Sequence, residues 1–241
     1  MRAIQTHVAV FVIVVTSAVF SQTVGSTSQQ SASGAGGRTS EPSTATLPKD
    51  VYSDSRNRLP LIKRENLDER GKTIYDESVA DPRSLAGLQG PAGIHLYSPR
   101  LAESVRVGNQ YLRFQTDLGR RLSELAILIT ARELDQQFEW TAHEPAALAA
   151  GLEQGIIDVV KYRRQVTTLG EKEAVVVQLG REIFGRRRVS PDIFARALKL
   201  FGEKGIVDLV SLMGEYSATA ALLTTFDQQL HPGQKPLLPV P

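Results

Sequence analysis

From residue 59 onward, apolar residues recur every three or four positions, the spacing that places them on one face of an α-helix. No segment shows the sustained alternation of apolar and polar residues that marks a β-strand. The pattern therefore predicts an all-α fold. Residues 125–129 are apolar around the whole helix circumference, which predicts burial on nearly every side. The predicted helices cover residues 65–78, 99–117, 121–135, 136–150, 156–162 and 171–188, then a segment starting at residue 191 and a long helix over residues 205–230.

Proline, glycine and serine residues indicate where several of these helices begin or end. Ser190 followed by Pro191 is typical of an N-cap with proline at the first helical position. Residues 87–98 are rich in glycine and proline and are predicted to form a loop. Pro145 disfavours helical backbone at the residue before it, so its helix is predicted to bend or break near Glu144.

The two ends of the chain have a different composition from the middle. Residues 1–21 have the features of a signal peptide, with a basic second residue, an apolar run over residues 8–15 and a small-residue cleavage site. The alternative is that this segment remains as an uncleaved membrane anchor. Residues 22–58 contain a long Ser/Thr/Gly-rich stretch and are predicted to be a flexible spacer. The expected folded domain covers residues 59–231, and a proline-rich tail covers residues 232–241.

Composition narrows the range of functions. The mature protein is predicted to be secreted or periplasmic and, after cleavage, free of the membrane. A net charge of +2, with scattered basic residues, does not favour binding to nucleic acid or to an anionic membrane. The chain has no cysteine, which excludes disulfides, thiolate metal sites and catalysis by a sulfur nucleophile.

One helical stripe carries the most distinctive side chains. Gln136, Glu139, Trp140 and His143 occupy positions i, i+3, i+4 and i+7, so they share a helix face. A carboxylate beside an imidazole favours the protonated ring, which suits a general acid near neutral pH. Trp140 would add an apolar wall. The alternative is a surface ion pair between Glu139 and His143, with Trp140 in the core.

Glu124 is the second candidate, because it immediately precedes the apolar run of residues 125–129 and a buried charge there requires a partner. The alternative is an acidic residue in the first turn of a helix capped by Ser123 and stabilised by the helix dipole. Glu139 and His143 could supply two metal ligands on one turn, but no nearby pair of histidines completes a set. No metal is predicted.

Residues 121–152 resemble the signature of the carboxymuconolactone decarboxylase family, which has an alkylhydroperoxidase-D-like helical fold. The resemblance lies in the Arg-Leu-x-Glu-Leu-Ala start, the Glu-Trp-x-x-His stretch and a helix of small residues that ends at Gly151. Residues 90–103 and 202–223 also resemble family segments, so the likeness covers roughly residues 60–230. It implies a domain of about seven or eight helices.

The family pattern also assigns positions within the site. In the thiol-peroxidase branch a Glu is followed by a Cys-x-x-Cys and then a His, and Glu124 and His143 match its Glu and His. Gln136 and Glu139 occupy the two cysteine positions, so disulfide-based peroxidase chemistry has no sulfur here. The cysteine-free chain is more similar to the decarboxylase-like branch, which implies a lyase that works without a cofactor on a small carboxylated or lactone-type compound.

Roles for individual residues follow from this resemblance. His143 is expected to donate the proton, Glu139 to orient and charge it, and Glu124 to act as a second acid–base or positioning group. Gln136 would donate a hydrogen bond to an oxyanion, and Arg132 is a candidate for holding the substrate carboxylate.

Family members are homo-oligomers, often trimers or hexamers, and the same is expected here. The alternatives are a helical oligomer that binds a small ligand or a partner without catalysis, and a family-style peroxidase.

Overall fold

The computed structural model describes residues 47–240. This part of the chain contains eight α-helices and no β-strand, which confirms the predicted all-α fold. The predicted signal peptide and most of the predicted spacer lie outside the described residues. The helices are α1 (Glu69–Ala80), α2 (Pro91–His95), α3 (Pro99–Phe114), α4 (Gly119–Glu133), α5 (Gln137–Ala149), α6 (Gln154–Lys161), α7 (Glu171–Gly180) and α8 (Pro191–Thr225).

Helix α4 is the central element, and it packs against α3, α5, α6, α7 and α8. Every residue from 122 to 132 is buried, which confirms the prediction for residues 125–129. Helix α7 comes so close to α4 that a Cβ atom on Gly180 would lie 2.7 Å from a side-chain carbon of Ile129. Glycine at this position therefore allows the two helices to touch. The residues that flank the candidate Glu124 are thus part of a rigid, tightly packed core.

Helix α5 continues through Pro145, so of the predicted bend or break near Glu144 the break does not occur. A proline inside a helix removes one backbone hydrogen bond, and buried contacts on both sides compensate for that loss here. Glu144 accepts a hydrogen bond from the indole of Trp140 and pairs with Lys161 at 2.8 Å. Ala147, two residues after the proline, is fully buried. Tertiary packing therefore outweighs the local preference of the sequence.

The predicted loop over residues 87–98 contains the short helix α2, with Pro91 in its first turn. A Cβ atom on Gly93 would lie 2.0 Å from the carbonyl oxygen of Leu88, so only glycine fits this close approach. Leu96, just after the helix, is completely buried. The segment is a packed part of the domain, and it also lines the cavity described below.

Helix α8 joins the two helical segments predicted after residue 190, with a kink at Gly202, where φ is 66° and ψ is 177°. The side chain of Ser190 accepts a backbone hydrogen bond in the first turn, which confirms the predicted cap. By length and composition α8 is apolar enough to cross a membrane. Its residues Leu209 and Leu212, however, are fully buried in the domain core.

The predicted helix over residues 171–188 is shorter than expected. It ends as an α-helix at Gly180 and continues as a π-helical turn to Arg186. The carboxylate of Glu182 in this turn accepts hydrogen bonds from the backbone and the hydroxyl of Ser190. These bonds connect the turn to the start of α8, and they explain why the backbone departs from regular α-helix here.

Both ends of the described chain lie on the domain. Residues 50–58, which the composition assigned to the spacer, make hydrogen bonds near the end of α8, where the backbone N–H of Arg58 donates to a carbonyl oxygen at 2.9 Å. Residues ahead of the expected boundary at residue 59 are therefore packed on the domain. In the tail, Leu238 is buried against the core.

Candidate functional site

Glu124 of α4 and His143 of α5 meet inside the domain. The Nδ1 atom of His143 lies 2.7 Å from Oε2 of Glu124, and both side chains are buried. The connection between the two helices is short, and Gln136 caps α5 by accepting the backbone N–H of Phe138 at 3.0 Å. The fold thus fixes the imidazole against the carboxylate. A carboxylate bonded to one ring nitrogen determines which tautomer and which ring orientation are present.

Glu124 also contacts two arginines. Its Oε1 atom lies 2.7 Å from a guanidinium nitrogen of Arg120 and 3.4 Å from one of Arg113. Burial favours the neutral carboxyl, but the combined effect of His143, Arg113 and Arg120 is larger, and the pKa of Glu124 is lowered. Glu124 therefore places a fixed negative charge behind the imidazole ring.

Glu139 lies on the other side of the same ring. Its Oε2 atom is 3.4 Å from Nε2 of His143, as the i,i+4 spacing predicted, and its side chain is buried. Burial raises the pKa of the Glu139 carboxyl, against the opposing charges of His143 and Arg113. The two carboxyl groups that flank one imidazole thus have pKa values shifted in opposite directions, an arrangement that favours different roles for the two groups.

Tyr216 of α8 packs on His143 from a third direction. The two rings meet edge to face, with their centres 5.1 Å apart and an angle of 88° between their planes. Burial raises the pKa of the Tyr216 phenol, so this hydroxyl stays protonated. Three elements, α4, α5 and α8, therefore hold the imidazole in place.

A cavity of about 170 Å³ opens on this group. Glu139 and His143 line it, whereas Glu124 lies behind the imidazole and outside the lining. The side chains of Glu139 and His143 are therefore the ones of this group that a bound molecule would meet. The other charged and polar lining residues include Arg83, His95, Arg106, Asn109, Arg113, Glu215 and Tyr216.

Three of the predicted site residues are elsewhere. Gln136 caps α5 and bonds through its amide nitrogen to α8, at Thr224, so its side chain is not in the cavity lining. Trp140 is completely buried in the main core. Arg132 donates to the carbonyl oxygen of Pro239 at 2.8 Å and thereby holds the C-terminal tail. The structure does not bring these three residues to Glu124, Glu139 and His143.

Replacing Trp140 by phenylalanine tests this placement of the indole. The change removes the hydrogen bond to the buried carboxylate of Glu144, so we expect the free energy of unfolding to fall by about 1–3 kcal/mol in a denaturant titration. The indole does not line the cavity, so the change should leave the cavity lining intact. An unchanged free energy of unfolding would contradict this placement.

The sequence analysis missed Arg113, Arg120 and Tyr216. Arg113 stands between Leu112 and Phe114 in an apolar stretch of α3, and a charged residue at a core-facing position is a signal that could have identified it. Arg120 precedes Glu124 by four residues, the spacing of a helical ion pair. Tyr216 lies in the apolar pattern of α8, where nothing in the sequence distinguishes it from an ordinary core residue.

Comparisons with known proteins add no family to this description. The chain matches no protein-family model, and no curated protein is significantly similar to it in sequence. The resemblance to the carboxymuconolactone decarboxylase family therefore stays a prediction based on the residues quoted above. Within residues 47–240, no group of three or more histidine, aspartate or glutamate side chains is arranged to hold a metal ion.

Proposed function

We propose that this protein is a cofactor-free enzyme of the lyase type, which acts on a small carboxylated or lactone-type compound by general acid–base proton transfer. One observation carries the proposal. The imidazole of His143 lies between the carboxylate of Glu124, whose pKa is lowered, and the carboxyl of Glu139, whose pKa is raised, and His143 and Glu139 line a cavity. The resemblance to the carboxymuconolactone decarboxylase family supplies the reaction class.

The geometry supports a division of roles among the three groups. Glu124 bonds to Nδ1 of His143 and keeps Nε2 directed toward Glu139. The negative charge of Glu124 stabilises the imidazolium whenever the ring takes up a proton. In this proposal Glu139 and His143 together hold the proton for the reaction. The distance of 3.4 Å between Nε2 of His143 and Oε2 of Glu139 is longer than a typical hydrogen bond, and we expect it to shorten when a substrate binds. Glu124 is then a positioning residue, and the pair is the proton donor.

Decarboxylation by such a site has two steps. The bond between the substrate carbon and its carboxylate breaks, carbon dioxide leaves, and the electron pair moves into the conjugated carbonyl to give an enolate. The pair of Glu139 and His143 then delivers one proton to the carbon that lost the carboxylate. The site recovers that proton from water, so the net reaction consumes one proton and releases one carbon dioxide.

The proposal is tested by measuring release of labelled carbon dioxide from a panel of small acids with ¹³C-labelled carboxyl groups. The panel contains β-keto acids, vinylogous keto acids and carboxymuconolactone, and each is incubated with the full protein in the presence of a chelator. We expect release above the uncatalysed rate for at least one compound, with no effect of the chelator. Absence of release from every compound would contradict the proposal.

The alternative function, a family-style peroxidase, predicts consumption of a hydroperoxide. The positions that resemble the family's cysteine pair are Gln136 and Glu139, and neither side chain can be oxidised to a disulfide. We therefore expect no turnover of cumene hydroperoxide, measured by loss of the hydroperoxide against a protein-free control. Steady consumption of hydroperoxide would favour peroxidase chemistry over proton transfer.

Replacing Glu139 by glutamine tests the proton-carrying carboxyl. In the wild type, kcat should fall as the pH rises through the raised pKa of Glu139, because the donor is then ionised. The variant cannot donate this proton, and we expect its kcat to be about 100-fold lower.

The same variant also predicts how the stability of the folded protein depends on pH. A carboxyl whose pKa is raised in the folded state stabilises the fold below its unfolded pKa, and this contribution is lost as the pH rises through the folded value. The melting temperature of the wild type should therefore fall relative to that of the variant as the pH rises from the ordinary glutamate pKa of 4.5 through the raised pKa of Glu139. A constant difference in melting temperature across this range would show that Glu139 does not titrate there.

A further inference from the structure

Arg113 is the one strongly buried arginine of the cavity lining. Its side chain is 8% exposed, and its Nε–H has no hydrogen-bond partner among the described residues. Its one carboxylate contact, to Glu124, is long, at 3.4 Å. An unpaired guanidinium donor in a buried position costs free energy, which a ligand with matching acceptors recovers.

The carboxylate of Glu124 is already occupied by other partners. Arg120 and His143 each contact it at 2.7 Å, on different oxygen atoms. Three carboxyl groups line the cavity: Asp81 is paired with Arg83, and burial raises the pKa of both Glu139 and Glu215, which favours their neutral forms. The one carboxylate that Arg113 contacts among the described residues is therefore shared with Arg120 and His143.

Neighbouring arginines add positive charge around Arg113. Three guanidinium groups lie within 4.8 Å of the centre of the Phe114 ring, and they belong to Arg83, Arg113 and Arg120. Two of the three have a close carboxylate: Asp81 bonds to Arg83 at 2.9 Å, and Glu124 bonds to Arg120 at 2.7 Å. Like charges so close together repel one another. Of the three, Arg113 has the longest carboxylate contact, at 3.4 Å, and an anion bound beside it would lower this repulsion.

We infer that Arg113 binds a carboxylate of the ligand, and that the ligand is a small carboxylate about the size of one six-membered ring. A cavity of roughly 150 Å³ accommodates benzene, so the volume of about 170 Å³ fits a single ring with one substituent. The inference rests on the proposed function for identifying this cavity as the site. It assigns to Arg113 the role that the sequence analysis gave to Arg132.

The test uses benzoate and its neutral isostere benzamide as probes, with binding to the full protein measured by calorimetry. The wild type should bind benzoate at least tenfold more tightly than benzamide, since a charge-assisted bond is lost with the amide. Arg113→Gln should weaken benzoate binding by about 10- to 100-fold. Arg113→Lys keeps the charge without the planar fork and should give an intermediate affinity.

Arg132→Gln is the matched control, because Arg132 is also buried with an unpaired Nε–H but lies outside the cavity. Its benzoate affinity should equal that of the wild type. Equal binding of benzoate and benzamide by the wild type would overturn the inference, and this comparison does not depend on whether Arg113→Gln folds. Unchanged benzoate affinity in a folded Arg113→Gln protein would overturn it as well.

These outcomes are separable from those of the lyase assay. Benzoate binding that depends on Arg113, without release of carbon dioxide from any labelled acid, would retain the carboxylate site and reject the lyase. Turnover in the wild type with an unchanged KM in Arg113→Gln would retain the lyase and reject this carboxylate site.

Discussion

Replacing His143 by alanine is expected to lower kcat by about 10²- to 10⁴-fold on any acid that the wild type decarboxylates, the range of a lost general acid. The change removes the nitrogen that faces Glu139 and leaves the carboxylate of Glu124 without its imidazole partner. The substrate carboxylate would still meet Arg113, so KM should change much less than kcat. Steady-state rates of carbon dioxide release check both parameters.

His231→Ala is the matched control for this experiment. His231 stacks on Phe138 with ring centres 5.8 Å apart, but it does not line the cavity. Its kcat should equal that of the wild type. Equal losses of kcat in both histidine variants would indicate a general effect on folding, and no loss in His143→Ala would remove the imidazole from the mechanism.

Replacing Glu124 by glutamine is expected to have the largest effect on stability, a loss of about 3–5 kcal/mol in the free energy of unfolding. The side chain is completely buried, and the change leaves Arg113, Arg120 and His143 facing a neutral amide. Removing one partner of a buried charge cluster leaves the others uncompensated. Urea titration at neutral pH measures the loss.

The stability difference between the wild type and Glu124→Gln should depend on pH. The pKa of Glu124 is lowered in the folded state, so its contribution is present above the unfolded pKa and is lost as the pH falls through the folded pKa. The stability difference between wild type and variant should therefore shrink in acid. Glu153→Gln is the control, because the ion pair of Glu153 with Arg121 lies at the surface and should contribute little at any pH.

The helical class and the buried position of α4 could be predicted from the sequence because both are periodic features. The apolar run over residues 125–129 has no polar face, so it had to lie at the centre of the domain. The helix is not broken at Pro145, and the pairing of Glu144 with Lys161 stabilises it at that point. This contact joins two helices that no local pattern relates.

In the candidate site too, contacts within one helix could be predicted from the spacing of residues, whereas contacts between helices could not. The contact between Glu139 and His143 follows from their i,i+4 spacing, and Glu124 was tied to them by the family resemblance. The spacing also placed Trp140 on this helix face. In the structure, however, the indole lies in the core and donates a hydrogen bond to Glu144, four residues later. Arg113 comes from another helix, α3, and its position in the cavity depends on how α3 packs on α4 and α8.

The central claim is that Glu139 and His143 deliver a proton to carbon inside the cavity, and the configuration of the product in D₂O tests it most directly. For an acid that the protein decarboxylates to a prochiral carbon, the product should carry one deuterium in a single configuration, since the donor stands on one side of the bound enolate. Equal amounts of the two configurations would mean that free enolate is protonated by solvent, and would contradict this assignment of the site.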